Sequence, residues 1–142
     1  VALEKTDWKV LEYPRKKRTV DAGDLEKWLA QVYPPGVMER TDPKTKFVYT
    51  IKSTTGNLKL TPIISANGER KAILSGVARL TDTGPGNFSY QGVIGAVISY
   101  GKTGRTPQSL RGYFDGLYPR SDRMHRDTRW LSLQAAFESI PE

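Results

Sequence analysis

Asn57–Leu80 reads NLKLTPIISANGERKAILSGVARL. Two apolar runs, Leu58–Ile64 and Ala72–Leu80, flank the polar stretch Ala66-Asn67-Gly68-Glu69. Asn and Gly adopt positive φ at little cost, so the stretch predicts a hairpin or tight loop between two strands. Upstream, Phe47, Tyr49 and Ile51 alternate at period two within Lys46–Lys52, the pattern of a half-buried strand. Downstream, Asn87–Tyr100 puts Phe88, Tyr90, Ile94, Ala96, Ile98 and Tyr100 on one face. These strand-like runs, joined by short Gly/Asn/Pro loops, predict an antiparallel sheet as the scaffold.

Working outward, Trp8–Tyr13 predicts a further short strand, stopped by Pro14 and the basic run Arg15-Lys16-Lys17-Arg18. Asp21 then suits a helix N-cap with Asp24 in the first turn. Leu25, Trp28, Leu29 and Val32 follow at i, i+3, i+4, i+7, and Pro34-Pro35 ends the predicted helix. On the other side, Gly101–Arg105 is a flexible turn, and Thr106-Pro107 has the form of an N-cap with proline at the first helical position. Leu110, Tyr113, Phe114 and Leu117 repeat the helical spacing and predict a second amphipathic helix, weakened by Gly112 and Gly116. Arg129–Phe137 fits either period, with the alternation of Leu131, Leu133, Ala135 and Phe137 favouring a closing strand. The predicted class is α+β: a twisted antiparallel sheet of about five strands with two or three helices packed on it.

At 142 residues, with no internal linker, the chain is sized for one globular domain carrying a basic N-terminal segment over residues 1–20. The first residue is Val1 rather than Met, so a processed or truncated chain lacking a flexible N-terminal tail is expected. No charged region followed by an apolar run marks a signal peptide, and no apolar run approaches the ~18–20 residues of a spanning helix. Cysteine is absent, which excludes disulfides, thiolate nucleophiles and cysteine-ligated metals. Lys and Arg number 22 against 15 Asp and Glu, a net charge of +7 that favours a polyanionic partner: nucleic acid, acidic lipid or an acidic protein.

Catalytic chemistry finds little to stand on. The single histidine, His125, lies in an arginine-rich run without apolar shielding, and no zinc-protease, nucleophile-elbow or EF-hand pattern is present. Gly101-Lys102-Thr103 ends like a phosphate-binding loop, but the position needing the first glycine holds Ala96, within a strand pattern. The sequence therefore predicts a non-enzyme with no metal and no cofactor, and an unrecognised enzyme remains the least favoured class.

Two basic clusters are the candidate polyanion sites: Arg15, Lys16, Lys17 and Arg18, and the recurring Arg120, Arg123, Arg126 and Arg129. Arg15–Arg18 also has the form of a short nuclear-import signal. Pro62-Ile63-Ile64, before the Asn-Gly turn, is either core or a projecting apolar knob for a protein or membrane contact.

In order, these features resemble the matrix proteins of rhabdoviruses, the vesiculovirus type in particular. A short Trp-Lys-Val strand and basic residues (Trp8–Arg18) precede a helix opened by an acidic residue (Asp21–Val32), an aromatic strand (Phe47–Ile51) and a small-residue turn (Thr54-Thr55-Gly56). Asn57–Ala66, NLKLTPIISA, is similar to the family's N-L-K-x-T-P segment and its apolar surface loop; Gly76-Val77-Ala78-Arg79-Leu80 resembles its G-x-A-x-L strand. The resemblance implies a structural virion protein that self-associates beneath the envelope, adheres to acidic lipid of the inner leaflet and condenses the viral nucleocapsid, or ribonucleoprotein, during budding. It implies further partners in the glycoprotein tail and in host nuclear import or transport factors. Its implied locations are the virion, the host cytoplasm, the inner membrane face and the nucleus. By the same resemblance, Pro62, Ile63, Ile64, Ser65 and Ala66 form the self-association or lipid-contact loop, and Arg15–Arg18 face acidic lipid or nucleocapsid. A P-P-x-Y budding motif is missing, since Tyr33-Pro34-Pro35-Gly36 has the wrong order. The rival class is a basic RNA-binding or coat-type protein without a membrane role.

Overall fold

The computed structural model describes residues 4–30, 42, 44–47, 49–84, 89–121 and 128–139. Its scaffold is one antiparallel sheet of seven strands. They are β1 (Arg18–Asp21), β2 (Ile51–Thr55), β3 (Asn57–Ile64), β4 (Arg70–Asp82), β5 (Ser89–Gly101), β6 (Ser109–Ser121) and β7 (Thr128–Glu138). The order is β1-β3-β4-β5-β6-β7, with β2 pairing the far half of β4. From β3 onward each strand pairs with the next, a meander with local pairing throughout.

The Asn-Gly stretch is the hairpin its sequence predicts. Ile64 pairs with Arg70, and the turn closes through Ser65 N–H to Glu69 O at 3.0 Å and Gly68 N–H to Ser65 O at 2.9 Å. Gly68 sits at φ +79 with open space where a Cβ would go. Gly68→Ala should therefore lower stability by about 1 kcal/mol through conformation alone, and Gly68→Asn by less; thermal melts check this, and a cost well above that value would show a hidden contact.

Several predicted elements change. The class is not a five-stranded sheet carrying two or three helices. The described residues hold two short helical segments, a 3-10 helix at Lys5–Leu11 and a 3-10 turn, Ala22–Leu25, that runs into one α-helical turn, Glu26–Leu29. The second amphipathic helix is instead strand β6. Leu110 and Phe114 are buried on the inner face, where they alternate with Gly112 and Gly116, whereas Tyr113 and Leu117 point outward. Glycines at alternate inward positions erased the period-two signal and left an accidental helical one. Trp8–Tyr13 is not a strand: it overlaps the Lys5–Leu11 helix, whose first turn is closed by Glu4 N–H donating to the Asp7 carboxylate at 2.7 Å. The strand predicted at Lys46–Lys52 begins at Ile51, and Phe47 is exposed. Thr54-Thr55-Gly56 is not a chain reversal, because β2 and β3 run along the same neighbour on either side of Gly56. A Cβ on Gly56 would lie 2.3 Å from Val77 O, so this break in the strand requires glycine.

Two further predictions hold. The closing strand is β7, paired with β6 along its length. The helical turn after Asp21 is capped as expected, Asp21 Oδ1 accepting from Gly23 N–H at 2.8 Å, and buries Leu25, Trp28 and Leu29. It stops at Leu29, and Val32 lies outside the described residues.

The core lies on the inner face of the sheet. Leu58, Leu60, Leu74, Leu80, Ile94, Ile98 and Phe114 meet Leu11, Leu25, Trp28 and Leu29 from the N-terminal segments. Trp28 packs on Phe137 of β7 with ring centroids 5.1 Å apart, so the helical turn reaches the last strand. A Lys27–Asp7 ion pair at 2.7 Å ties the two helical segments, and Lys27 holds the Asp7 carboxyl below its ordinary range.

Two buried tyrosines fix the layers. Tyr100 Oη donates to Leu11 O, and Tyr90 Oη donates to Leu133 O, each at 2.7 Å. Burial pushes Tyr90 up to about 12, with the Asp115 charge adding to it, and raises Tyr100 as well. Both phenols stay protonated in the fold while the unfolded chain ionises near pH ~10. Their contribution is complete below that pH and is lost as pH rises towards the folded values. Tyrosinate absorbance during an alkaline titration should show two residues resisting ionisation until the chain unfolds; early ionisation of all tyrosines would contradict it.

Candidate functional site

Basic and apolar side chains converge at the end of the sheet that carries the β3–β4 and β5–β6 turns. β1 pairs antiparallel to β3 with Arg18 opposite Leu60, so residues 15–17 enter the sheet from the end towards which β3 runs on to Ile64. Two predicted sites separated in sequence thus share one end. Arg15, Lys16 and Lys17 are exposed. Arg18 is different: its guanidinium donates to Val10 O at 2.7 Å and Glu12 O at 2.9 Å, which turns it inward as an anchor.

Tyr13 fixes the other side of the basic run. Its N–H donates to Arg105 O at 2.8 Å, and its ring meets Tyr100 edge-on at 5.1 Å. The Arg70 guanidinium stacks over the Tyr13 ring at 5.2 Å and its Nη1 reaches Thr103 O at 3.4 Å. One cation–π contact therefore links the N-terminal segment to both hairpin turns. Lys71, Lys102 and Arg105 complete the basic surface of this end, with Glu69 and Glu12 as nearby acids. Sequence reasoning missed Arg70, Lys71, Lys102 and Arg105. The signal was present, since both turns carry basic residues, but it required knowing that residues 101–108 join two strands.

The predicted loop divides. Pro62 is half-buried, Ile63 is 38% exposed on the outer face, and Ile64 is 73% exposed at the tip. Ser65 Oγ hydrogen-bonds to Asn67 Oδ1, which also accepts from Glu69 N–H at 3.2 Å, so the turn that displays Ile64 and Ala66 is pinned. Ile64 thus stands exposed at the tip, with Arg70 as its cross-strand partner.

The described members of the second cluster, Arg120 and Arg129, lie at the opposite end. Arg120 is the cross-strand partner of Arg129, which is exposed. At ~3.3 Å per residue, Arg120 stands about 35 Å along β6 from Ser109. Arg123, His125 and Arg126 lie outside the described residues.

Among the described residues no group of three His, Cys, Asp or Glu could hold a metal, and no helix is long and apolar enough to cross a membrane. Compared with protein-family models, curated proteins and solved structures, the chain matches none.

Proposed function

We propose that this chain is a structural protein of the matrix type, which adheres to an acidic membrane face through the Ile63–Ile64 end of its sheet. The observation that carries the proposal is the convergence of Ile64, 73% exposed, with exposed Arg15, Lys16 and Lys17 at that end. Bare RNA gains little from exposed aliphatics, whereas a lipid interface gains from both parts of the tip. Adhesion is strengthened by self-association, because weak contacts on linked copies are made at high effective concentration. The arginines at the far end, Arg120 and Arg129, are the proposed face for the nucleocapsid. Assembly beneath a viral envelope is the process such a two-ended module would serve.

Co-sedimentation with vesicles tests the proposal. Phosphatidylcholine vesicles should leave the protein in solution, and vesicles containing phosphatidylserine should pellet it at low salt. Raising salt should weaken pelleting, since surface attraction decays within about 8 Å at physiological ionic strength. Failure to pellet with acidic vesicles at low salt, with tight binding of single-stranded RNA instead, would replace this reading by the RNA-binding one.

A further inference from the structure

The outer face of the sheet has side chains whose layout matches a second copy of itself. Alternation puts Ile73 and Val77 of β4 beside Val97 and Val93 of β5, as the cross-strand pairs Ile73–Val97 and Val77–Val93. All four are exposed, between 38% and 48%. Between the two pairs lie Ser75 and Gly95, which are themselves partners, and the Tyr113 ring lies over Gly95, where a Cβ would stand 2.8 Å from ring atoms. The result is an apolar patch. On β6 it is bordered by Arg111 on one rung and Asp115 two rungs further, opposite Val97 and Val93.

We propose that this face is an isologous interface between two copies of the chain, with the two-fold axis crossing the strands at the Ser75–Gly95–Tyr113 level. That operation exchanges the rungs on either side of the axis. Ile73 then meets Val77 of the second copy, Val97 meets Val93, and Arg111 meets Asp115, each pairing occurring twice as closed symmetry requires. Arg111 also bonds Glu138 within its own chain at 2.7 Å, which holds the guanidinium on this face. Of the like charges, Lys71 with Arg79 fall at the outer positions, where the ~30° angle between packed sheets separates them and water screens them. Lys59, on the axis rung opposite Ser75, would face its own copy, but it stands on β3 beyond the apolar pairs and its ammonium donates to Thr19 Oγ1 at 2.9 Å, towards β1. The area suffices. The four strands β4–β7, 11–13 residues long and about 4.8 Å apart, present a face of roughly 800 Å², the amount each partner buries in a standard stable interface. The inference supplies the self-association that the adhesion reading calls on, but it stands on a different surface and is tested without membranes.

Sedimentation equilibrium of the whole chain over a range of concentrations should show a monomer–dimer equilibrium. Val93→Glu with Val97→Glu should weaken it by about 100-fold or more, the scale of losing central apolar contacts. Both positions face outward, so an unchanged circular dichroism spectrum and melt of the monomer are expected. Charge reversal gives the sharper test. Arg111→Asp alone and Asp115→Arg alone each put like charges together and should each weaken the dimer by about 10-fold. Mixed in equal amounts, the two variants restore both pairs, so the heterodimer should form as tightly as the unmodified dimer. A chain that stays monomeric throughout, a dimer indifferent to Val93→Glu/Val97→Glu, or single variants that the mixture does not rescue would each overturn the proposal. Vesicle binding plays no part in these outcomes, so they fail or succeed apart from the adhesion reading.

Discussion

Phe114→Ala should cost about 3–5 kcal/mol, the range for emptying a fully buried aromatic site. Phe114 is 0% exposed and its ring packs against Tyr90 with centroids 4.8 Å apart. The cavity would open beneath β5, β6 and β7 at once, because Tyr90 also donates to Leu133 O. Such a loss is a large part of a typical ~5–15 kcal/mol total and should lower the melting temperature by roughly 10–20 °C. Tyr113→Ala, one residue earlier, should cost less than about 1 kcal/mol at concentrations too low for self-association. The contrast separates the two readings of Leu110–Leu117. On a helix Tyr113 and Phe114 would share the buried stripe and their substitutions would cost alike; on β6 they point to opposite faces. Equal losses in thermal melts would mean that the strand assignment is wrong.

The second large effect concerns adhesion. Each Lys or Arg near an acidic bilayer contributes about 1 kcal/mol, so Arg15, Lys16 and Lys17 together changed to Ala should weaken vesicle binding by about 100-fold. Ile64→Asp should act in the same direction at higher salt, where apolar insertion carries more of the binding, because it sets a charge at the tip. Neither change touches the core: the three basic residues and Ile64 are all exposed. Arg18→Ala should do the reverse, leaving adhesion of the folded protein nearly intact while lowering stability. Its guanidinium holds the Val10 and Glu12 carbonyls, which would be left unpartnered. Full vesicle binding by the Arg15/Lys16/Lys17 triple variant would remove that cluster from the adhesive surface.

Much of this protein was legible in its residues because the information is local. The Asn67-Gly68 turn, the alternation in Ala72–Leu80 and Tyr90–Tyr100, the Asp21 cap and the closing strand each depend on neighbours a few positions away, where turn chemistry and side-chain period act directly. The charge of +7 and the absence of cysteine were likewise plain. Tertiary structure decided the rest. Whether Leu110–Leu117 is helix or strand depends on β5 being available to pair, since Gly112 and Gly116 leave the intrinsic pattern ambiguous. Whether Trp8–Tyr13 extends or coils depends on Leu11 finding the inner face and Asp7 finding Lys27, twenty residues away. The same holds for function. A basic run at residues 15–17 and an apolar loop at 62–66 are separate features in sequence, and they come to the same end of the sheet because β1 runs antiparallel to β3. The outer patch and its two-fold match of Arg111 to Asp115 exist in the register between strands, a quantity that no single stretch of the chain encodes.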